Sequence, residues 1–307
     1  VSYQEVKLAP GAYTATVDIT AAYRKLLRIN ASDGRATVQL KVVEAPKEEV
    51  AQRLSARSAS PAPTPLVGKA GKPRGPLPDL RSLPAWAITV DKGRYLTFAA
   101  TVWNAGPSPL VVDGFKRTGR DDLMDAYQYF FDGKGKQVGY APVGTMEWDA
   151  RDGHTHWHFT AFAKYSLLDE RKRLVVRSQK EAFCLASTDA IDYTVPGANW
   201  RPFNTDLSSA CGGESSLGVR EVLETGSGDT YAQYLPGQSF DLRSLKNGVY
   251  YILIEANPDK RLSEKSTRNN RSYRKVTVAG TTGHRTVKAA KVGIIIEPPI
   301  ETAEDGH

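Results

Sequence analysis

The amino-acid sequence predicts an all-β protein whose main domain is a β-sandwich, with a small β-rich segment at its amino-terminal side. Apolar and polar residues alternate in several short stretches, which is the periodicity of strands that bury one face. Gly, Pro and Asn residues separate these stretches, as is typical of sandwiches built from many short strands. No apolar run approaches the ~20 residues that a membrane-spanning helix needs. We therefore expect packed sheets and no transmembrane segment.

The order of the elements predicts four parts. Residues 1–57 form the β-rich segment, because alternation is seen at 13–19 and again at 37–43. Residues 58–76 hold five prolines among Ser, Gly and Ala, a composition typical of linkers. The main domain is expected at 77–280. Residues 281–307 are expected to add one strand, at 292–296, and a polar tail.

Within the main domain the strand signals are strong. Residues 96–103 alternate strictly, and the aromatic stretch 127–131 ends in the hairpin-type turn 132–135. The apolar run 249–254 follows an Asn-Gly turn signal and is typical of a core strand, while residues 273–278 alternate again. These signals favour a sandwich over a helical or mixed fold.

The net charge of +7 does not indicate a nucleic-acid partner. Basic residues recur at 171–173 and from Lys260 to Lys275, but only Tyr273 supplies an aromatic ring in the second stretch. Nucleic-acid surfaces usually interleave aromatic and basic side chains on one face. We interpret the excess charge as solvated surface that is compatible with an anionic polymer nearby.

The sequence has two cysteines, Cys184 and Cys211, and no CxxC motif. In an exported β-rich protein such a pair predicts one disulfide, which would stabilise the fold by roughly 3–4 kcal/mol in the chain-entropy model. Two buried free thiols are the alternative.

Three of the five histidines lie at alternate positions, His154, His156 and His158. Alternate side chains of an extended segment project to one face, so the three imidazoles share a face. Imidazole binds Cu, Zn, Fe or Ni, and three protein ligands leave a coordination position open for chemistry. The spacing predicts a catalytic metal site without choosing the metal, and a three-His zinc hydrolase has the same pattern.

Around these histidines, an ordered set of motifs resembles the catalytic domain of the lysyl oxidase family. The resemblance covers residues 77–278. The motifs are LPDL at 77–80, VWNAG at 102–106, HTHWH at 154–158, FAKYSLLD at 162–169, KEAFCL at 180–185, GDTY at 228–231, and NGVYYIL at 247–253 followed by ANP at 256–258.

The resemblance implies an all-β oxidase that is secreted and needs Cu²⁺. The implied copper ligands are the three histidines named above. The family cofactor, lysyl tyrosylquinone, is a cross-link between a lysine and a tyrosine, which maps onto Lys180 and Tyr231. The implied reaction converts a primary amine, either peptidyl lysine or a small amine, and dioxygen into an aldehyde, ammonia and hydrogen peroxide.

The resemblance also implies a calcium site that joins the start of the domain to a later loop. Its oxygen ligands are of the kind that Ca²⁺ prefers. At this site Ser266 stands where vertebrate members carry an aspartate. Elsewhere in the domain, Lys164 stands where they carry a histidine before the Tyr-x-Leu-Leu-Asp segment. The implied calcium ligands are Asp79, the carbonyl of Leu80, Glu264, Asn269 and Asn270.

Two alternatives stay open beside the amine oxidase. One is a secreted β-sandwich that keeps the family fold and a metal site but acts as a non-catalytic binding protein. The other is the three-His zinc hydrolase, which is disfavoured because the histidine motif contains no glutamate to act as a base.

Overall fold

The structure is a computed structural model, and it describes residues 9–18, 21, 24–25, 30–32, 34–42, 69–71, 73, 75–117, 119–150, 155–160, 162–178, 182–198 and 211–293. The chain divides into two compact units, Val1–Pro61 and Ala62–His307. Within the described residues the bounded elements are twenty β-strands, which confirms the all-β class. In the same residues, no helix has both the length and the apolar character required to cross a membrane.

The first unit contains an antiparallel pair, β1 (Gly11–Asp18) and β2 (Arg35–Val42). Both strands were predicted from alternation. Tyr13 lies opposite Leu40 and Ala15 lies opposite Val38, so the apolar residues share one face of the hairpin.

The first sheet of the second unit carries the histidine segment. Its strand order is β13-β10-β9-β8-β7-β15, and β3 pairs in parallel with β9. The predicted turn after residue 131 joins β8 to β9, and the Asp132 carboxylate accepts the backbone N–H groups of Lys134 and Lys136. The strands are β3 (Lys69–Ala70), β7 (Leu110–Arg117), β8 (Arg120–Phe131), β9 (Gln137–Asp149), β10 (His156–Thr160), β13 (Ala182–Phe183) and β15 (Gly218–Leu223).

The second sheet has the order β12-β11-β18-β19-β20. The apolar run and the later alternating stretch form β18 and β19, as predicted. On β18 the buried residues Ile252 and Ile254 alternate with partly exposed ones, because one face meets the core. The strands are β11 (Ala163–Asp169), β12 (Leu174–Arg177), β18 (Gly248–Ala256), β19 (Arg271–Thr281) and β20 (His284–Ala289).

The third sheet is organised around one long strand, β6. The strands β16 and β17 pair with successive parts of β6, and β4 and β5 pair with the same parts from the other side. Val102 thus has Asp229 as a partner on one side and Ser82 on the other. The strands are β4 (Leu80–Ser82), β5 (Trp86–Asp91), β6 (Tyr95–Asn104), β14 (Asp189–Ala190), β16 (Ser227–Tyr231) and β17 (Ser239–Asp241).

All three sheets of the second unit contribute to one core. Phe98 of β6 stacks on Phe240 of β17 at 4.9 Å between ring centroids and meets the ring edge of Tyr165 of β11 at 5.4 Å. Tyr165 in turn contacts Phe183 of β13 at 5.8 Å. This aromatic row links the three sheets, and it ends beside the tyrosine that the sequence singles out.

Several predicted features fall on residues outside the description. Most of the predicted linker, residues 58–68, lies there, and so do residues 294–307. The segment predicted to carry a C-terminal strand does contain β20, which begins at His284, before the predicted stretch 292–296, most of which lies outside the described residues. The four-part division of the chain stays a prediction.

Candidate functional site

Strand β10 presents two of the predicted metal ligands, His156 and His158. Their rings lie 4.5 Å apart between centroids and are inclined by 73°. His158 is buried, and its Nδ1 lies 3.5 Å from Oδ2 of Asp149 on β9. A carboxylate next to one ring nitrogen orients the imidazole and leaves Nε2 for a metal. The two imidazoles therefore resemble metal ligands. The Asp149 carboxylate lies behind His158, as residues that orient a ligand histidine do.

The third predicted ligand, His154, lies outside the described residues. Among the residues that are described, no group of three or more His, Cys, Asp or Glu side chains is placed to hold a metal ion. The copper assignment to His154, His156 and His158 therefore stays a prediction.

Tyr231, at the end of β16, is held by the backbone of one residue. The backbone N–H of Cys184 donates to the phenol oxygen at 2.9 Å, and the phenol O–H donates to the carbonyl of Cys184 at 3.2 Å. The ring packs edge-on against Phe183 at 4.9 Å. We call this arrangement the phenol clamp. It fixes a buried tyrosine whose hydroxyl has both a donor and an acceptor.

Polar side chains surround the clamped tyrosine inside the core. Asp229 shares β16 with Tyr231 two positions away, and both side chains are buried. Gln238 donates from Nε2 to the carbonyl of Tyr231 at 2.9 Å. Glu221 projects inward from β15 between the buried Val219 and Leu223. We call the group the phenol cluster; it consists of Tyr165, Glu221, Asp229, Tyr231 and Gln238.

Burial governs the protonation of this cluster. Burial raises the pKa of the Glu221 carboxyl well above its usual value, and the charge of Asp229 raises it further. Burial likewise raises the pKa of the Tyr231 phenol, with further contributions from Asp229 and Glu221. The pKa of Tyr165 is raised by burial and then by Asp229. The carboxyl of Glu221 and both phenols thus hold their protons more tightly than in water.

The histidines and the tyrosine lie on opposite faces of the ribbon formed by β10 and β13. Phe159 and Phe183 are directly paired, so both project to the face where Tyr231 packs. His156 and His158 alternate with Phe159 along β10 and project to the other face. By this alternation the tyrosine and the two imidazoles approach the ribbon from opposite faces.

A disulfide and one backbone hydrogen bond connect the clamp to the histidine strand. Cys184, which clamps the phenol, forms a disulfide with Cys211, which confirms the predicted pairing. The carbonyl of Cys211 accepts the backbone N–H of Trp157 at 2.9 Å, and Trp157 stands between the two histidines. Lys180, the predicted partner of Tyr231, lies outside the described residues. The cross-link stays a prediction.

A comparison with known protein families matches residues 132–287, just over half of the chain, to the lysyl oxidase family. The chain belongs to the lysyl oxidase family. The matched region contains the histidine strand, the clamp and the phenol cluster. A comparison with curated proteins finds no match.

The calcium ligands implied by the lysyl oxidase resemblance do come together. Asp79 accepts Nδ2 of Asn269 at 3.0 and 3.1 Å and pairs with Arg81 at 2.8 Å. Glu264 accepts the backbone N–H of Leu80 at 3.0 Å. Further donors to Glu264 are the amide groups of two asparagines. We call this group the corner cluster; it consists of Asp79, Arg81, Asn257, Glu264, Asn269 and Asn270.

The corner cluster carries ligand chemistry but satisfies much of it internally. Nδ2 of Asn257 and Nδ2 of Asn270 donate to Glu264 at 2.6 and 2.8 Å. The Oδ1 atoms of Asn269 and Asn270 are buried without a hydrogen-bond partner among the described residues. Burial raises the pKa of Glu264 and those amide donors oppose the rise. Two carboxylates and two amide oxygens suit calcium, and the calcium assignment stays a prediction.

The segment around Asp79 is fixed beside this corner by Asn104. Its Oδ1 accepts the backbone N–H groups of Asp79 and Gly106 at 3.0 and 2.9 Å. At Gly106 a Cβ atom would lie 2.4 Å from the backbone of Leu77 and of Asp79, so the turn requires glycine. The VWNAG motif is therefore a structural brace for the corner cluster.

Sequence reasoning missed two residues of the site, Glu221 and Asp149. Glu221 interrupts the apolar row of Val219 and Leu223, and a charged residue in such a row is a usable signal. Asp149 gives no such signal, because its proximity to His158 depends on the register of β9 against β10. Lys164 pairs with Glu255 and alternates with the buried Tyr165, so it projects away from the phenol cluster.

Proposed function

We propose that this chain is a copper-dependent amine oxidase that converts primary amines, either peptidyl lysine or small amines, to aldehydes. The balanced reaction takes up dioxygen and water and releases ammonia and hydrogen peroxide. Family membership supports an oxidase. The observation that carries the proposal is the motif tyrosine, Tyr231, held in a buried polar environment by the backbone of Cys184, which follows the strand that pairs with the histidine strand.

The residues present fit copper by their chemistry. His156 and His158 offer imidazole nitrogens on one face, and His154 would complete the set. When bound, copper with dioxygen supplies the oxidation of the tyrosine ring, and the quinone derived from Lys180 and Tyr231 supplies the electron sink for amine oxidation.

The chain's own residues then have defined tasks. The amine of Lys180 must lose its proton before it can add to a ring. Tyr231 must leave the clamp, because in the clamped position it lies on the face of the ribbon opposite to His156 and His158. Until that release, the carbonyl of Cys184 accepts a hydrogen bond from the phenol O–H. Cofactor formation therefore requires a movement of β16 or of the segment around Cys184.

The second candidate is a non-catalytic binding protein with the family fold. The separation of Tyr231 from the two histidines by the ribbon favours it, because a protein that never oxidises the tyrosine needs no release from the clamp. The three-His zinc hydrolase has no comparable support, since the family match points to an oxidase.

One experiment separates the two candidates. Protein loaded with Cu²⁺ in air should stain for quinone, should yield one cross-linked fragment containing Lys180 and Tyr231, and should release peroxide when a primary amine is added. Tyr231→Phe should abolish all three signals. Tyr250→Phe is the matched control, because Tyr250 is also buried and also bonds a backbone carbonyl. A copper-replete protein without quinone would establish the binding protein instead.

Copper binding can be tested apart from turnover. We expect Asp149→Asn to weaken Cu²⁺ affinity by about tenfold to a hundredfold, because the carboxylate beside His158 orients the ligand and raises its basicity. Isothermal titration with Cu²⁺ measures the change. Asp189→Asn, at an exposed position on β14, is the control. Equal affinities for wild type and Asp149→Asn would exclude the proposed role of Asp149.

The disulfide also supports the proposal that the protein works outside the cytoplasm, since disulfides persist in oxidising compartments. An extracellular oxidase would meet its amine substrate and dioxygen there. The corner cluster is proposed as the calcium site of such an enzyme.

A further inference from the structure

Glu221 occupies an unusual position for a glutamate. It lies on β15 at one edge of the first sheet, and its side chain is fully buried. Its Oε2 accepts the backbone N–H of Leu185 at 2.9 Å, and the backbone N–H of Phe159 also donates to the carboxyl. Leu185 follows β13, the edge strand at the other end of the strand order, and Phe159 lies on β10, the strand next to it. The carboxyl thus connects the two ends of the strand order.

The bridge acts directly on the phenol clamp. Leu185 is the residue after Cys184, whose backbone holds the phenol. Phe159 pairs with Phe183, whose ring packs on Tyr231. One carboxyl therefore fixes both the strand and the turn that keep Tyr231 in place.

The second carboxyl oxygen is not used for this purpose. Oε1 of Glu221 is buried and has no hydrogen-bond partner among the described residues. A buried polar atom left without a partner costs roughly 1–3 kcal/mol, so a merely structural bridge would be served better by a group without it. Glu221 also interacts electrostatically with Asp229 and Tyr231.

We infer that Glu221 is a positioning residue for cofactor formation: its carboxyl holds the clamp closed on Tyr231 and controls when the phenol can ionise and leave. This inference rests on the proposed oxidase function. When Glu221 carries its proton, the cluster gains no charge from it. When Glu221 ionises, its charge beside Tyr231 opposes loss of the phenol proton. The groups that share this pocket with Glu221 are Tyr165, Asp229, Tyr231 and Gln238.

Hydrogen exchange of the metal-free protein tests the bridge without any oxidation. In Glu221→Leu the backbone amides of Leu185 and Phe159 lose their acceptor, and peptides that contain them should exchange at least about tenfold faster. Glu221→Gln keeps an acceptor oxygen and should restore most of the protection. Glu224→Gln is the matched control, because Glu224 lies three residues further on and outside the cluster. Unchanged exchange in Glu221→Leu would overturn the inference.

The pH profile of quinone formation tests the electrostatic part. The rate after copper addition should be similar in wild type and Glu221→Gln at the acid end. As the pH rises and Glu221 ionises, the rate of quinone formation in wild type should become about threefold to tenfold lower than in Glu221→Gln. The reason is that a change of one unit in the pKa of the phenol changes its ionised fraction tenfold. A ratio that does not vary with pH would refute this control. If neither protein forms quinone, the oxidase proposal fails, and the exchange experiment alone decides the positioning role.

Discussion

The corner cluster and the phenol cluster both bury carboxyl groups, but they surround them differently. In the corner cluster, Glu264 receives a backbone N–H and two side-chain amides, and Asp79 receives Arg81 and an asparagine amide. In the phenol cluster, Oε2 of Glu221 receives the backbone N–H of Leu185, and its Oε1 has no partner among the described residues.

The two environments indicate different roles: the corner cluster stabilises the fold, and the phenol cluster is suited to chemistry. Burial raises the pKa of both glutamates, hydrogen-bond donors oppose the rise at both, and a neighbouring aspartate adds to it at both, but the rise is larger at Glu221, which is fully buried. The three donors to Glu264 tie the start of the domain to the later loop, which is a structural role. A carboxyl beside another acid and two phenols holds a proton, which is the arrangement found at sites that move protons.

The largest expected effect concerns the bracing of the phenol cluster. Replacing Cys184 and Cys211 by serine removes a bridge across 27 residues, which should cost about 3–4 kcal/mol and lower the melting temperature by about 10 °C. Thermal denaturation with and without reductant measures this. Wild type should respond to the reductant, and the double variant should not. A double variant as stable as wild type would show that the clamp needs no covalent brace.

The next effect breaks the corner cluster. Glu264→Ala leaves the N–H of Leu80 and the amides of Asn257 and Asn270 without their acceptor, so we expect a loss of about 3 kcal/mol in the free energy of unfolding. Urea denaturation gives the value. Glu170→Ala, in the exposed turn after β11, should cost under about 0.5 kcal/mol. Equal losses of unfolding free energy in both variants would mean that the hydrogen bonds to Glu264 do not stabilise the fold.

Some strands could be predicted from the sequence because apolar residues alternate or run together in them. Burial on β19 is one-sided over most of its length, the apolar run of β18 follows a turn signal, and β6 alternates in sequence although its middle is buried on both faces. The longest strand, β9, gave no such signal. Two-residue strands such as β13 and β14 have no periodicity, and only their partners define them. Local pattern therefore recovers the strands but not the order of strands in the sheets.

In the candidate site, too, features that depend on local sequence could be predicted and features that depend on long-range contacts could not. The histidine face follows from spacing along one strand, and the tyrosine follows from its motif. The separation of the two by the β10–β13 ribbon depends on which residue pairs with Phe159, and that contact is long-range. Glu221 meets Leu185 across 36 residues of sequence, so its role could not be predicted from neighbours in the chain.

Binding of Ca²⁺ would distinguish the corner cluster from the phenol cluster. If Ca²⁺ binds Asp79 and Glu264, the amides of Asn269 and Asn270 must turn their oxygens toward it, and the protein should gain about 2.7 kcal/mol at a hundredfold excess over the dissociation constant. A rise in melting temperature with Ca²⁺ but not with Mg²⁺ is the expected result. Glu264→Gln should abolish the rise. No shift at millimolar Ca²⁺ would mean that Arg81 and the amides already complete the corner.

The smallest effect is a pH dependence that belongs to the phenol cluster. The folded state raises the pKa of Glu221, so at intermediate pH it holds a proton that the unfolded chain releases. Stability from this group is complete below the ordinary glutamate pKa of about 4.3 and declines as the pH rises toward the folded-state value. Glu221→Gln has no such proton, so its melting temperature relative to wild type should climb as the pH rises above the ordinary glutamate pKa. Glu224→Gln should show a weaker climb, because burial raises the pKa of Glu224 less. Since 1 kcal/mol corresponds to about 2–4 °C for a domain of this size, thermal scans can resolve the slope. Parallel curves for Glu221→Gln and wild type would mean that Glu221 is ionised in the fold and that the two clusters differ in geometry alone.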